Sequence, residues 1–171
     1  MQVFSKNIWF LFGFIAILMA ANISVYRAIL APRVLTIAVL EAGKGNAVLV
    51  HTPNGKTILI DTGPDASILR ALGGALPPWQ RRIDAVILTG TKNSLVGGLP
   101  EVESRYRVST IMRAGVTAVP YGASLIFDGS RIEIIAPAML FISYGATSLA
   151  VSSSTPAGVY ISDGQTIMKT K

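Results

Sequence analysis

The chain has 171 residues, enough for one hydrophobic segment and one compact domain. It contains no cysteine, which excludes disulfides, thiolate metal sites and a cysteine nucleophile. The net charge of +6 permits either an ordinary solvated surface or weak attraction to anionic lipid or nucleic acid. We favour the solvated surface, because the basic residues are spread along the chain and Arg81-Arg82 is their only adjacent pair.

The first predicted element is an apolar helix at the N-terminus. Residues 7–26 carry no charge, and twenty helical residues span about 30 Å, the thickness of a bilayer core. We therefore expect a single-pass transmembrane anchor over residues 1–31 and, beginning at Pro32, a domain over residues 32–171. The alternative is a cleaved signal peptide, since Ala20-Ala21-Asn22 offers small residues to a peptidase, although the apolar run exceeds a usual signal core.

The domain is predicted to open with a meander of three strands. Residues 34–40, 46–51 and 57–61 are rich in β-branched and apolar side chains. A glycine-containing bend separates the first two strands, and Pro53-Asn54-Gly55 favours a tight turn before the third.

A mixed pattern of helices and strands comes next. Asp65 or Ser67 is expected to cap a helix that ends at Gly73-Gly74. Further on, the sequence predicts a buried strand over residues 83–88, a loop over 89–98, a helix over about 100–106 and a strand over 108–113.

After Gly115 the pattern predicts strands and turns alone. The fold class is therefore α/β, with the helices confined to the first half of the domain. The predicted strands of the second half are 124–127, 131–136, 139–144, 148–152, 158–161 and 165–168.

Two stretches of the domain carry a resemblance to a known family. Residues 35–64, LTIAVLEAGKGNAVLVHTPNGKTILIDTGP, resemble the opening of the metallo-β-lactamase-like domain of ComEC-type competence proteins, which reads L-x-V-x-F-L-D-V-G-Q-G-D-A, then P-x-G and L-I-D-x-G. Residues 81–108 resemble the family's block I-D-x-x-x-L-T-H-x-H-x-D-H-x-G-G-L-x-x-V. The resemblance implies a metallo-β-lactamase-like αββα sandwich, shortened here in its second half.

The chain departs from this family at the positions that bind metal. Relatives use the T-H-x-H-x-D-H loop to hold two zinc or manganese ions through imidazole and carboxylate groups. The acidic residue of the family's G-Q-G-D is Asn46 here, and the later metal-bridging aspartate corresponds to Ser153-Ser154. Aligned on Thr89 and on residues 97–99, the vacated ligand positions of the loop are Gly90, Lys92, Ser94 and Leu95, and the vacated position of the later aspartate is Ser154.

Three side chains are each open to two interpretations. Asp61 matches the family residue that orients the metal-binding loop without contacting the metal itself. In the absence of a metal, we expect it to form hydrogen bonds with a turn or with loop amides. His51, the single histidine, is interpreted as an exposed residue at a strand end rather than a ligand or proton carrier. Lys92 is interpreted as a solvated lysine in preference to a contact for an anion.

The leading hypothesis is a degenerate, non-catalytic relative of a hydrolase, with no catalytic residue, no metal and no small-molecule cofactor. The resemblance implies partners among the membrane, DNA and an active DNA-uptake relative. It also implies a domain outside the cytoplasmic membrane, whereas Arg27 and Arg33 against Lys6 weakly favour the cytoplasm. The alternatives are a zinc- or manganese-dependent hydrolase or nuclease with an unrecognised ligand set, and a remnant without selected function.

Overall fold

The computed structural model describes the backbone of residues 3–30, 33–115 and 119–170, and in the first helix the side chains of residues 9–23. The chain divides into two compact units, Met1–Pro32 and Arg33–Lys171. The elements in chain order are α1 (Val3–Leu30), β1 (Leu35–Ala42), β2 (Gly45–His51), β3 (Thr57–Ile60), α2 (Ser67–Ala75), β4 (Arg82–Ile83), β5 (Ala85–Leu88), α3 (Asn93–Val96), α4 (Leu99–Arg105), β6 (Arg107–Val108), β7 (Ile111–Arg113), β8 (Ser124–Phe127), β9 (Ser130–Ala136), β10 (Met139–Tyr144), β11 (Thr147–Ser152), β12 (Gly158–Ser162) and β13 (Ile167–Thr170).

The first unit contains the single helix α1, in the place where the sequence predicts a transmembrane anchor. A membrane crossing takes about 20 consecutive apolar residues. Among the residues that the structure describes, no helix is long and apolar enough to make one. The helix of this prediction is thus present, and its membrane-spanning character is not supported. Pro32 lies outside the described residues, so the division between residues 31 and 32 stays a prediction.

The second unit is built on a mixed sheet of seven strands in the order β13-β12-β1-β2-β3-β5-β7. The strands from β13 to β3 pair antiparallel, and β3, β5 and β7 pair parallel. The predicted three-strand meander is confirmed, with Val39 opposite Val48 and Leu49 opposite Leu59. Because β3, β5 and β7 run in the same direction, their carboxyl ends meet at one edge of the sheet.

A second sheet, with the strand order β11-β10-β9-β8, packs on one face of the first. Consecutive antiparallel hairpins join its four strands. Alternate residues of both sheets point into a shared core. This core includes Ile37 and Val39 of the first sheet and Ile132, Leu140 and Ile142 of the second. The strands predicted at residues 124–127 and 139–144 are observed with the same bounds.

The helices α2 and α4 cover the opposite face of the seven-stranded sheet. Ile68 and Leu72 of α2 and Val102 of α4 are fully buried against Leu59 and Val86 of the sheet. The layers are thus helices, seven-stranded sheet and four-stranded sheet.

This layering corrects one part of the predicted αββα sandwich. The described residues after Arg105 form no helix, so none of them adds a helical layer to the outer face of the four-stranded sheet. Apolar side chains on that face, including Ile126 and Phe141, are exposed. The prediction of strands alone after Gly115 therefore holds for the described residues, and the outer helical layer implied by the resemblance is wrong for them.

Some predicted boundaries also differ, because distant partners decide them. The strand predicted over residues 83–88 divides at Asp84, whose amide donates to the carbonyl of Thr57 at 2.8 Å. The strand predicted over 108–113 divides at Ser109, whose amide donates to the carbonyl of Ile83 at 3.0 Å. Helix α2 continues through Gly73-Gly74 to Ala75, and the predicted loop over 89–98 contains the short helix α3.

The connection between α3 and α4 lies directly against the loop that follows β3. A Cβ atom added at Gly97 would lie 2.1 Å from the carbonyl oxygen of Pro64, and one at Gly98 would lie 2.5 Å from that of Thr62. The amide of Gly98 donates to the carbonyl of Gly63 at 3.0 Å. Two backbone segments therefore pack without side chains between them, and only glycine fits.

We expect Gly97→Ala to lower the free energy of unfolding by about 2 kcal/mol or more, because its methyl group collides with backbone atoms that cannot rotate away. Gly73→Ala is the matched control: Gly73 is exposed in helix α2, and an added Cβ meets nothing within 4 Å. The control should raise the free energy of unfolding by about 0.5–1 kcal/mol. Urea unfolding of both variants measures the difference, and equal effects would contradict the close approach.

Candidate functional site

Asp61 and Thr89 follow two neighbouring parallel strands, β3 and β5, at the edge where their carboxyl ends meet. The carboxylate of Asp61 accepts the Thr89 amide at 2.8 Å through one oxygen and the Thr89 hydroxyl at 2.6 Å through the other. The hydroxyl oxygen of Thr89 in turn accepts the amide of Ala138, in the turn between β9 and β10, at 2.8 Å. Asp61 thus connects the two sheets through Thr89.

Asp61 is buried, with 4% of its surface exposed, and its backbone has a φ of 57°. Burial raises the pKa of its carboxyl to about 6, and the hydrogen bonds from Thr89 act in the opposite direction. Positive φ is uncommon for residues other than glycine, although aspartate is among those that tolerate it. An unusual backbone conformation and a buried charge therefore coincide at this residue.

A cleft of about 310 Å³ opens above Asp61. Four segments that are distant in sequence form its walls: the β1–β2 turn, the loop after β5, the β9–β10 turn and the end of β11. The residues that the sequence analysis singles out in the lining are Asn46, Asp61, Lys92, Ser94, Leu95 and Ser153, and Lys44 joins them.

The remaining two predicted positions lie beside this cleft. A Cβ added at Gly90 would contact Leu95 Cδ1 at 3.0 Å and Pro137 Cβ at 3.2 Å, both from residues of the lining. The hydroxyl of Ser154 lies 2.9 Å from that of Ser152, another lining residue. The positions aligned with metal ligands are therefore neighbours in the fold.

The side chains that line this cleft do not fit as ligands of a zinc or manganese ion, the metals that the family resemblance implies. Among the described residues that line it, Asp61 supplies the only carboxylate, and both of its oxygens accept hydrogen bonds from Thr89. Lys44 and Lys92 bring positive charge, and Leu95 has no ligating atom. Within the described parts of the chain, no group of three His, Cys, Asp or Glu residues could hold a metal.

The structure corrects the interpretation of His51 as an exposed residue. His51 is half-buried at the end of β2, and its Nδ1 lies 3.1 Å from Thr57 Oγ1. Burial lowers the pKa of the imidazole. His51 pairs with the first residue of β3, whereas Asp61 follows the last, so His51 lies at the opposite end of that strand from the cleft.

Two participants in the site were not singled out from the sequence. Thr89 is the partner of Asp61, and its position directly after a buried strand was the available signal. Tyr121 donates its hydroxyl to the carbonyl of Thr89 at 2.9 Å, and no local pattern marks this contact.

Comparisons with known proteins give similarities at a coarse level. No family model matches the chain. Over 86 residues the chain is 30% identical to a hydroxyacylglutathione hydrolase of Erwinia tasmaniensis, a match that covers 50% of this chain and 33% of that protein. The chain thus spans about a third of the length of this curated relative.

Solved structures with a similar arrangement include metallo-β-lactamases. One, from Cronobacter sakazakii, is 14% identical with a TM-score of 0.49 and covers 66% of this chain and 55% of its own. Another, the subclass B3 enzyme MEM-A1 from a soil metagenome, is 12% identical with a TM-score of 0.47 and covers 67% and 60%. These values describe a likeness of arrangement, and no conclusion about function follows from them.

The raised pKa of Asp61 predicts a specific pH dependence of stability. Between pH 3.8 and about 6 the folded protein holds more protons on this carboxyl than the unfolded chain, so the free energy of unfolding falls as pH rises. By neutral pH, the raised pKa of Asp61 has lowered the free energy of unfolding by on the order of 3 kcal/mol. We expect Asp61→Asn to remove this component, measured as the difference between the wild-type and variant stability curves. Parallel curves of stability against pH for the two proteins would contradict the raised pKa of Asp61.

Thr89→Val tests the hydrogen bond itself. The variant keeps the shape of the side chain and the backbone amide but removes the hydroxyl that donates to Asp61. Because this bond lowers the pKa of Asp61, its loss should move the pKa above 6. Carboxyl-detected NMR titration measures the change, and a lowered pKa would contradict the arrangement.

Proposed function

We propose that this chain is a non-catalytic domain of the metallo-β-lactamase-like type, related to the ComEC-type DNA-uptake domain, which acts by binding rather than by hydrolysis. The observation that carries this proposal is the composition of the cleft. Lys92 and Leu95 line it beside Asp61, at positions where the resembled family has imidazole ligands.

Electrostatics support the non-catalytic part of this proposal. Two divalent ions a few ångströms apart repel each other and need surrounding negative charge to be held. Here two lysines and one carboxylate line the cleft, and both oxygens of that carboxylate already accept hydrogen bonds from Thr89. A site with this balance repels cations.

The proposed partner is DNA, with an active DNA-uptake relative as the alternative. The net charge of +6 and a sequence pI of about 9.9 are compatible with a polyanionic partner, although the dispersed basic residues by themselves fit a solvated surface. By the same family resemblance we propose an extracytoplasmic location.

A second candidate is a metal-dependent hydrolase whose ligands differ from those of the family motif. The similarity to a hydroxyacylglutathione hydrolase over 86 residues favours it, because that protein is named as a hydrolase. Such an enzyme needs carboxylates from outside the aligned loop, and His51 is the single imidazole in the sequence.

Metal analysis of the purified protein distinguishes the two candidates. We expect the wild-type protein, dialysed against Zn²⁺ or Mn²⁺, to retain well under one ion per chain and to hydrolyse neither DNA nor a thioester. The matched control restores the family motif with Gly90→His, Lys92→His, Ser94→Asp and Leu95→His, which should raise zinc retention. Stoichiometric metal together with hydrolysis by the wild-type protein would overturn the proposal.

A further inference from the structure

A second surface of the domain is strongly basic. Arg81, Arg82, Arg105 and Arg107, which we call the arginine surface, line an open groove of about 510 Å³ together with Glu103 and Tyr106. All four arginines are exposed. None belongs to the cleft around Asp61.

Strand pairing brings these arginines together. β4 and β6 form a two-stranded parallel ladder in which Arg82 is the partner of Arg107 and Ile83 is the partner of Val108. The amide of Arg107 donates to the carbonyl of Arg81 at 2.8 Å. Since strand side chains alternate, Ile83 turns into the core while the arginines face solvent.

The charges on this surface are only partly balanced. Arg82 forms an ion pair with Asp84 at 3.0 Å. Arg105 lies in the last turn of α4, where a positive charge is favoured by the helix dipole. In the described parts of the chain, no carboxylate lies within 4.0 Å of Arg81 or Arg107. Like charges on paired strands repel each other, so an anionic ligand would reduce an electrostatic repulsion that exists in the unbound protein.

An exposed aromatic side chain precedes the arginines. Trp79 is 82% exposed, although Trp is usually among the more buried residues. It lies in a turn in which the amide of Gln80 donates to the carbonyl of Pro77 at 3.0 Å. The side chain of Gln80 donates to Thr57 Oγ1 at 2.6 Å, which fixes the turn to the sheet.

The arginine surface and the cleft lie at opposite ends of the parallel strands. β4 and β6 immediately precede β5 and β7, whereas Asp61 and Thr89 follow β3 and β5. A ligand on the arginine surface therefore does not depend on the groups of the cleft.

We propose that the arginine surface and Trp79 form a binding site for single-stranded nucleic acid, in which guanidinium groups contact successive phosphates and the indole stacks on a base. This inference rests on the binding function proposed above and assigns it a surface. Planar guanidinium groups match phosphate oxygens, and aromatic stacking is the usual means of holding unpaired bases. A duplex offers no unpaired base on which Trp79 can stack, which disfavours duplex DNA as the ligand. A single exposed indole buries little apolar area in a bilayer, which disfavours a lipid surface.

The test uses the 171-residue chain and a fluorescent oligodeoxythymidylate of about 16 nucleotides, and binding is followed by fluorescence anisotropy over a range of salt concentrations. Arg81→Gln with Arg107→Gln should weaken binding at low salt by at least about tenfold and reduce the salt slope by about 1.4. The matched control, Lys44→Gln with Lys92→Gln, removes the same charge from the cleft and should leave binding within about twofold. All four side chains are exposed, and circular dichroism checks the fold of both variants.

Trp79 supplies a second, independent readout. The chain contains two tryptophans, so Trp9→Phe leaves Trp79 as the only indole. Oligodeoxythymidylate should quench its fluorescence as binding saturates, and Trp79→Ala should weaken binding by about tenfold. Unchanged fluorescence at saturation would overturn the stacking role.

The remaining outcomes separate this inference from the proposed function. Equal losses in both double variants would indicate attraction by net charge alone, and a loss confined to the lysine variant would move the site to the cleft. Either result overturns the arginine surface while DNA binding stands. Equal affinity for duplex DNA, or binding to phosphatidylserine vesicles but not to the oligonucleotide, overturns the single-stranded ligand. No binding of DNA by the wild-type protein at low salt overturns DNA as the partner in both proposals.

Discussion

The hydrogen-bonded pair of Asp61 and Thr89 is the contact on which the arrangement of this domain depends. It joins the exits of two parallel strands, and through the Thr89 hydroxyl it also holds the β9–β10 turn of the second sheet. Tyr121 adds a further bond to the Thr89 carbonyl. Hydrogen bonds to a charged group contribute about 1.5–3 kcal/mol each. The desolvation of Asp61, which raises its pKa, offsets part of this contribution. The pair therefore determines the relative positions of the two strand ends and the β9–β10 turn as much as it adds stability.

The side chains of the cleft above this pair differ from those of the family that the sequence resembles. In the resembled hydrolases, an aspartate at this position orients a metal-binding loop. Here the same carboxylate binds the first residue of the loop, and the side chains further along are a lysine, a serine and a leucine. The backbone-to-backbone contacts at Gly97 and Gly98 hold the end of this loop against the segment that follows β3. Function must therefore be argued from the side chains rather than from the arrangement of strands.

The two ends of the parallel strands have different electrostatic character. At the carboxyl ends, a buried acid lies beneath two lysines in a narrow cleft. At the amino ends, the arginines lie in an open groove, and among the described residues three of them have no carboxylate within 4.0 Å. Guanidinium groups are weakly hydrated and remain charged at any physiological pH, so this groove suits a phosphate-bearing chain better than the cleft does.

Much of the fold was determined by local sequence. The Asn-Gly turn and the runs of β-branched and apolar residues determined the opening meander. The strands at 124–127 and 139–144 were recognisable to the residue because turn residues flank each one. The absence of a helical pattern after Gly115 was also a reliable signal. The outer helical layer was expected from the family resemblance and not from these residues.

Only the tertiary structure decided the features that depend on partners distant in sequence. Asp84 and Ser109 interrupt predicted strands because Thr57 and Ile83 accept their amides, and His51 is half-buried because Thr57 lies beside it. The sequence shows Arg81-Arg82 as an isolated basic pair. The β4–β6 ladder adds Arg105 and Arg107, more than 20 residues further along the chain, and so turns a dispersed charge into a surface. Local patterns determine which residues form strands, whereas long-range hydrogen bonds determine which strands, and therefore which charges, become neighbours.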